Sequence, residues 1–271
     1  SRLASSALLF PVALFLLNLL FVRRLLTIEY LDQMGSIEGS FIAIARWARE
    51  NWGDLSWFPL WYGGIPFVNT YPPLLHRTVA AVSTVLGITP ALAYHAVTAV
   101  FYALGPVTLY LLALRLCGSR VRSLAAGLFY SLLSTSNFLI PAVRSDTGGW
   151  WGSRRLQVLA VYGEGPHITA LALLPAAVAL LSLAFEKRKP LWWLAAAVAM
   201  SSVALTNWFG GAALAIAVPA WLLSRQKMGP PGWLRAGGAA AAAYLVASPW
   251  LPPSTIYGIW LNERLVRQPL A

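Results

Sequence analysis

Nine acidic residues and three histidines are spread over 271 positions, so each group able to move a proton or hold a cation can be weighed singly. Asp32 and Glu38 stand six residues apart across Met34-Gly35-Ser36. That flexible link lets two carboxylates approach each other, an arrangement that shares a divalent cation or one proton. Glu38 has a second reading. A helix is predicted to start near Ser36, with Ser36 as cap and Ile37, Phe41, Ile44, Ala45 and Ala48 along one face. Glu38 is then a first-turn acid favoured by the helix dipole. Asp32 has no helix to cap.

A second group follows Tyr162: Gly163, Glu164, Gly165, Pro166 and His167. Glycines let a backbone approach a ligand closely, and proline suits the first position of a helix. Arg154 and Arg155, just upstream, offer a cationic clamp for a phosphate or diphosphate, or a contact to lipid headgroups. Asn207 either lines the same cavity or only caps a helix. The aromatic run 57–73 holds Trp61 and Tyr71, and His76 follows it. Aromatic residues at a membrane interface commonly form an anchoring belt. Here the density of Gly and Pro also fits a fixed irregular surface that stacks on a sugar or holds a lipid chain.

These residues need elements to hold them. The chain is 58% hydrophobic and 11% charged, with 13 tryptophans and a mean hydropathy of +0.65. Soluble domains carry about 25% charged residues. The balance excludes a soluble enzyme and a disordered chain, and points to an all-α polytopic membrane bundle. The single cysteine, Cys117, excludes an internal disulfide and a multi-cysteine metal site. A net charge of +11 would suggest nucleic acid in a soluble domain. In short loops between apolar runs it is better explained by the excess of Lys and Arg on the cytoplasmic side, so no nucleic-acid partner is expected. No phosphate-binding loop, dinucleotide fingerprint, Ser-His-Asp motif or zinc pattern is present.

A spanning helix needs about 20 mostly apolar residues. Residues 3–22, 90–114, 123–143, 165–185 and 236–251 qualify. The uncharged run 190–224 is too long for one span and is predicted to break at Thr206-Asn207-Trp208-Phe209-Gly210-Gly211. That makes about seven spans. Residues 74–88 are short, contain His76 and Arg77, and read as interfacial or re-entrant. The basic loops at Arg115, Arg120 and Arg122, at Lys187, Arg188 and Lys189, and at Arg225, Lys227 and Arg235 then share the cytoplasmic side with the N-terminus. The first outer loop covers 23–89 and the second 141–165, and every acid but Glu186 lies outside. If 74–88 does span, the N-terminus starts outside; Arg23-Arg24 favours that rival. The chain opens without Met and stops after an amphiphilic stretch, which reads as one transmembrane domain, an N-terminal excerpt of a longer protein.

Taken together, the acid after the first span, the helix 37–51, and the runs Trp57-Phe58-Pro59-Leu60-Trp61-Tyr62-Gly63-Gly64-Ile65-Pro66-Phe67 and Asn69-Thr70-Tyr71-Pro72-Pro73-Leu74-Leu75-His76 resemble a group of prokaryotic membrane proteins. It is labelled as 6-pyruvoyl-tetrahydropterin-synthase-related. The group is similar in layout to GT-C glycosyltransferases, which use polyprenyl-phosphate sugar donors. The resemblance implies an inner-membrane enzyme, embedded in the lipid bilayer, that moves a sugar from a lipid-linked donor on the outer face. It implies Asp32 as base, with Glu38 as second carboxylate or as co-ligand of a divalent metal such as Mg or Mn, and Glu164 as a later-loop acid. Arg154, Arg155 and His167 would hold phosphate; Trp61, Tyr71, His76 and Asn207 would contact substrate. The chain departs from oligosaccharyltransferase-type members in lacking a plain Asp-X-Asp. Two other classes fit the same residues: a transporter or flippase of a lipid-linked substrate, and a non-catalytic scaffold.

Overall fold

The computed structural model describes residues 2–33, 35–225 and 229–266. Among them are thirteen α-helices and one two-stranded hairpin: α1 Arg2–Phe21, α2 Glu38–Glu50, β1 Trp57–Phe58, β2 Ile65–Pro66, α3 Leu74–Leu86, α4 Pro90–Cys117, α5 Arg120–Leu132, α6 Thr135–Leu139, α7 Pro141–Asp146, α8 Arg154–Ala160, α9 Gly165–Lys187, α10 Pro190–Thr206, α11 Trp208–Leu223, α12 Gly229–Ala247 and α13 Pro253–Val266. The all-helical class expected from the sequence is what the chain forms.

α4 and α9 are the central pair. α4 starts at Pro90, its end capped by Thr89, whose hydroxyl accepts from the Leu92 N–H at 3.2 Å. It stops at Gly118, which takes a left-handed φ of 64°. Its 28 residues reach about 42 Å. Thr108 on α4 donates to the Ala172 carbonyl of α9, and Arg115 meets Glu186 at 2.8 Å. The two helices therefore run parallel. α1 lies antiparallel to α4: Phe10 contacts Tyr110, and Asn18 donates to Ser131 of α5.

This packing gives the molecule two unlike ends. Arg115, Lys187 and Arg225, which donates to Ser182, gather at one, with Arg120 and Arg122 in the first turn of α5. Arg235 shares a cavity wall with Trp193 and Leu194 of α10 and belongs to the same end. Lys227 lies outside the described residues. The opposite end holds the starts of α4, α9 and α11, covered by residues 28–89. That cover is a cap with its own aromatic core, in which Trp47 meets Phe58 and Phe67 edge to face at 5.3 and 5.0 Å.

The spans expected from the sequence are met only in part. By length and apolarity, two helices among the described residues, α4 and α9, can cross a membrane; 8–21 of α1, α3, α10 and α11 are apolar but shorter. The run 123–143 is not one helix but α5, α6 and α7, interrupted at Leu133-Ser134 and at Ile140-Pro141. At the first interruption the Ser134 hydroxyl accepts from the Arg154 N–H at 2.7 Å, and the buried Asn137 amide just beyond donates to the carbonyls of Gly149 and Gly152, so both residues are tied to the 149–154 segment. The run 190–224 does divide at Asn207. The helix expected near Ser36 starts at Glu38; the Ser36 hydroxyl accepts from the Glu38 N–H at 3.2 Å, as expected of a cap, while Ile37, 43% exposed, lies outside the helix and off the buried face expected of it.

Candidate functional site

Glu164 is held in place by its backbone. Gly163 has a φ of 73°, which suits glycine, and a Cβ there would collide with Ser36 and Glu38. A Cβ on Gly165 would collide with the Tyr94 hydroxyl and with Thr98. The Ile37 N–H donates to the Tyr162 carbonyl at 3.0 Å, closing the join between the start of α2 and the turn before α9. Both glycines flanking the acid are thus required by contact with protein, not by a ligand.

So placed, Glu164 lines a cavity of about 580 Å³ at the end of the bundle opposite the basic loops. His167, Arg154, Tyr71, Tyr162 and Asn207 line it too, with Ile37, Val158 and Phe209 as apolar wall. Burial pushes the Glu164 carboxyl above the usual carboxylate range. Burial, and the neighbouring Glu164, push the Tyr71 hydroxyl up as well. Arg154 pairs with Asp146, donates to Gln157 and lies over the Tyr162 ring. The Tyr162 hydroxyl donates to Asp146 at 2.6–2.7 Å, and that bond, with Arg154, holds the Asp146 carboxyl below its usual range. Asn207 does both things expected of it: it lines the cavity, and its Oδ1 accepts from the Phe209 and Gly210 N–H groups to cap α11.

The remaining predicted residues are placed elsewhere. Asp32 is exposed and lines a separate cavity of about 350 Å³ with Arg24, Tyr30 and Gln33. α8 divides the two spaces: Arg154 and Val158 face one, Leu156 and Ala160 the other. Glu38 is 5% exposed and lines neither. Its Oε1 accepts from the Leu31 N–H at 2.9 Å and its Oε2 meets His95 Nε2 at 3.0 Å. His95 Nδ1 lies 2.9 Å from the Ile28 carbonyl, which can only accept, so Nδ1 carries a hydrogen. One further proton then occupies the bond between Nε2 and Glu38.

Arg155 is not available to a phosphate. Its guanidinium is sandwiched 4.2 Å from each of the Tyr102 and Tyr130 rings and donates to their carbonyls and to Asn18. His76 is 1% exposed, between Phe41 and Tyr71; neither ring nitrogen makes a hydrogen bond of ordinary geometry, and burial lowers its pKa to about 3. It is a neutral core residue. Trp61 meets Tyr71 edge to face at 5.6 Å and, like His76, reaches the cavity only through that tyrosine.

A divalent metal between Asp32 and Glu38 does not fit these donors. Both Glu38 oxygens are engaged by the protein, and the Asp32 side chain faces the other cavity. Among the described residues no three His, Cys, Asp or Glu side chains gather as a ligand set. Sequence reasoning missed Tyr94 and His95. The signal was present, two polar rings in the first turns of a mostly apolar helix, but hydropathy averaging hides it. The chain matches no protein family, no curated protein and no solved structure with which it was compared.

Proposed function

We propose that this chain is the membrane part of a GT-C-type glycosyltransferase, taking a sugar from a polyprenyl-phosphate-linked donor on the outer face of a prokaryotic plasma membrane. The observation that carries the reading is the gathering of Glu164, His167, Arg154, Tyr71 and Asn207 around one chamber at the end away from the basic loops. In this reading α4 and α9 span the bilayer. α1, α10, α11 and α12 complete the bundle, the 28–89 cap lies outside, and the basic end and the N-terminus lie in the cytoplasm.

The acceptor hydroxyl oxygen attacks the anomeric carbon of the donor sugar. The bond from that carbon to the phosphate oxygen breaks, and its electron pair leaves with the lipid phosphate. Glu164 takes the acceptor proton; its raised proton affinity makes it a stronger base than an ordinary carboxylate. Arg154 and His167 face the departing phosphate charge. The base moves from Asp32 to Glu164 because Asp32 opens into the neighbouring cavity.

The decisive experiment is transfer from a radiolabelled polyprenyl-phosphate sugar to a lipid extract by the purified protein. Glu164→Gln is expected to lower the rate about 10²-fold or more, and Asp32→Asn to leave it within a few-fold. Absence of transfer by the unaltered protein sinks the reading. Exposed Cys117 reports topology: an impermeant thiol reagent is expected to label it only after cells are permeabilised. A second reading, a flippase of lipid-linked substrates, draws on an almost wholly apolar cavity of about 400 Å³ between α10, α11 and α12. Translocation in proteoliposomes without transfer would select it.

A further inference from the structure

We infer that Tyr94 is a positioning residue: its buried hydroxyl holds the peptide groups on both sides of Glu164 and so sets the direction in which that carboxylate enters the chamber. The inference rests on the role of base proposed above for Glu164. Tyr94 is 1% exposed. Its hydroxyl donates to the Gly163 carbonyl at 2.8 Å and accepts from the Gly165 N–H at 3.1 Å. The Gly165 N–H also donates directly to the Gly163 carbonyl at 2.9 Å, so the hydroxyl braces a tight turn whose single central residue is the acid. A hydroxyl has one hydrogen to give, and here it is spent on this backbone.

The contacts of the ring separate positioning from packing. The Tyr94 ring lies 6.4 Å from Phe41 and 5.9 Å from His95, centroid to centroid, and phenylalanine would serve those contacts equally. Only the hydroxyl has partners that a phenylalanine lacks. Tyr94 also sits on the longest helix among the described residues, within the aromatic core of the cap. Glu164 is thereby referenced to α4 as well as to α8, whose Val158 carbonyl accepts from the Glu164 N–H at 3.0 Å. His95, the next residue, reaches Glu38, whose backbone abuts Gly163. Two consecutive residues of α4 thus pin the segments 28–38 and 162–165 at the rim of the chamber.

The test is Tyr94→Phe in the full purified chain, read three ways: thermal stability, infrared titration of the Glu164 carboxyl band, assigned by its loss in Glu164→Gln, and the transfer rate. The expected result is a folded protein whose Glu164 midpoint moves back toward the usual carboxylate range as the acid leaves its half-buried site. Its kcat falls about tenfold or more at unchanged KM. An unmoved carboxyl band overturns the inference, whatever the stability does. Should Tyr94→Phe not fold, Gly165→Ala presses a methyl group on the same hydroxyl and is read in the same way; an unmoved band there overturns it equally. The infrared measurement needs no turnover. A moved band in a protein without transfer activity would leave the positioning role standing and sink only the glycosyltransferase reading.

Discussion

The cap and the α9–α12 half of the bundle are both well packed, but by different means. The cap core is built from rings: Trp47, Phe58 and Phe67 are at most 7% exposed and interlock with Trp61, Tyr71 and Trp250. The α9–α12 core is built from small residues, with Ala177, Ala196, Ala197, Ala236, Ala239 and Ala243 buried among Val and Leu. Large rings fix the largely irregular stretch 51–73 between α2 and α3. Small residues let neighbouring helices approach closely. The chamber lies at the seam of the two, with Tyr71 from the cap and Asn207 and Phe209 from the helices. Its geometry therefore depends on both kinds of packing.

The comparison can be broken at three points. Phe67→Ala removes a fully buried ring at the centre of the cap and is expected to cost about 3–5 kcal/mol. Denaturation in detergent would measure it; a cost under 1 kcal/mol would mean the rings are not what holds the cap. Ala196→Leu, at a position with no exposed surface between helices, is expected to cost about 1–3 kcal/mol by overpacking. A neutral result there would show that α10 has room to move.

The smallest effect concerns pH. Burial raises the Glu164 carboxyl, so the folded state holds its proton more tightly than the unfolded chain does. The stabilisation that follows is fully present below the unfolded value and is lost as pH rises through the raised one. Glu164→Gln mimics the protonated acid. Its melting temperature is expected to lose the decline that the unaltered protein shows over that window, and to be equal to or higher than it at neutral pH. A Gln variant with the same pH profile as the unaltered protein would show that Glu164 is not the group responsible.

Much of this architecture was legible where one physical signal dominates. The starts of α4 and α9 are marked by Thr89-Pro90 and Gly165-Pro166, and the break at Asn207 by a cap residue followed by Gly210-Gly211. What could not be read are the places where a long-range hydrogen bond overrides a local average. Residues 123–143 have the apolar content of a span, yet Asn137 finds its partners at Gly149 and Gly152. Arg155 looks like half of an exposed dyad with Arg154, yet its partners are Tyr102, Tyr130 and Asn18, distant in sequence. The cluster of Glu164, His167, Arg154 and Asn207 was legible as a set of span-end residues. That Asp32 falls on the far side of α8 was not, since nothing local to residue 32 records where α8 will pack.

The link between Glu38 and His95 has a consequence for how this chain can drift. Glutamine has the shape of glutamate, and at position 38 its amide would donate to His95 Nε2 while its oxygen still accepted from the Leu31 N–H. His95 would keep its hydrogen toward Ile28. Every donor and acceptor stays matched, and the only thing lost is a proton able to move. Alanine at either position instead strands buried polar groups. Among tolerated variants, glutamine is therefore expected to be the open exit from Glu38, while His95 is locked as long as either side chain occupies position 38. A deep library of substitutions at the two positions would read this directly as a dependence of one on the other.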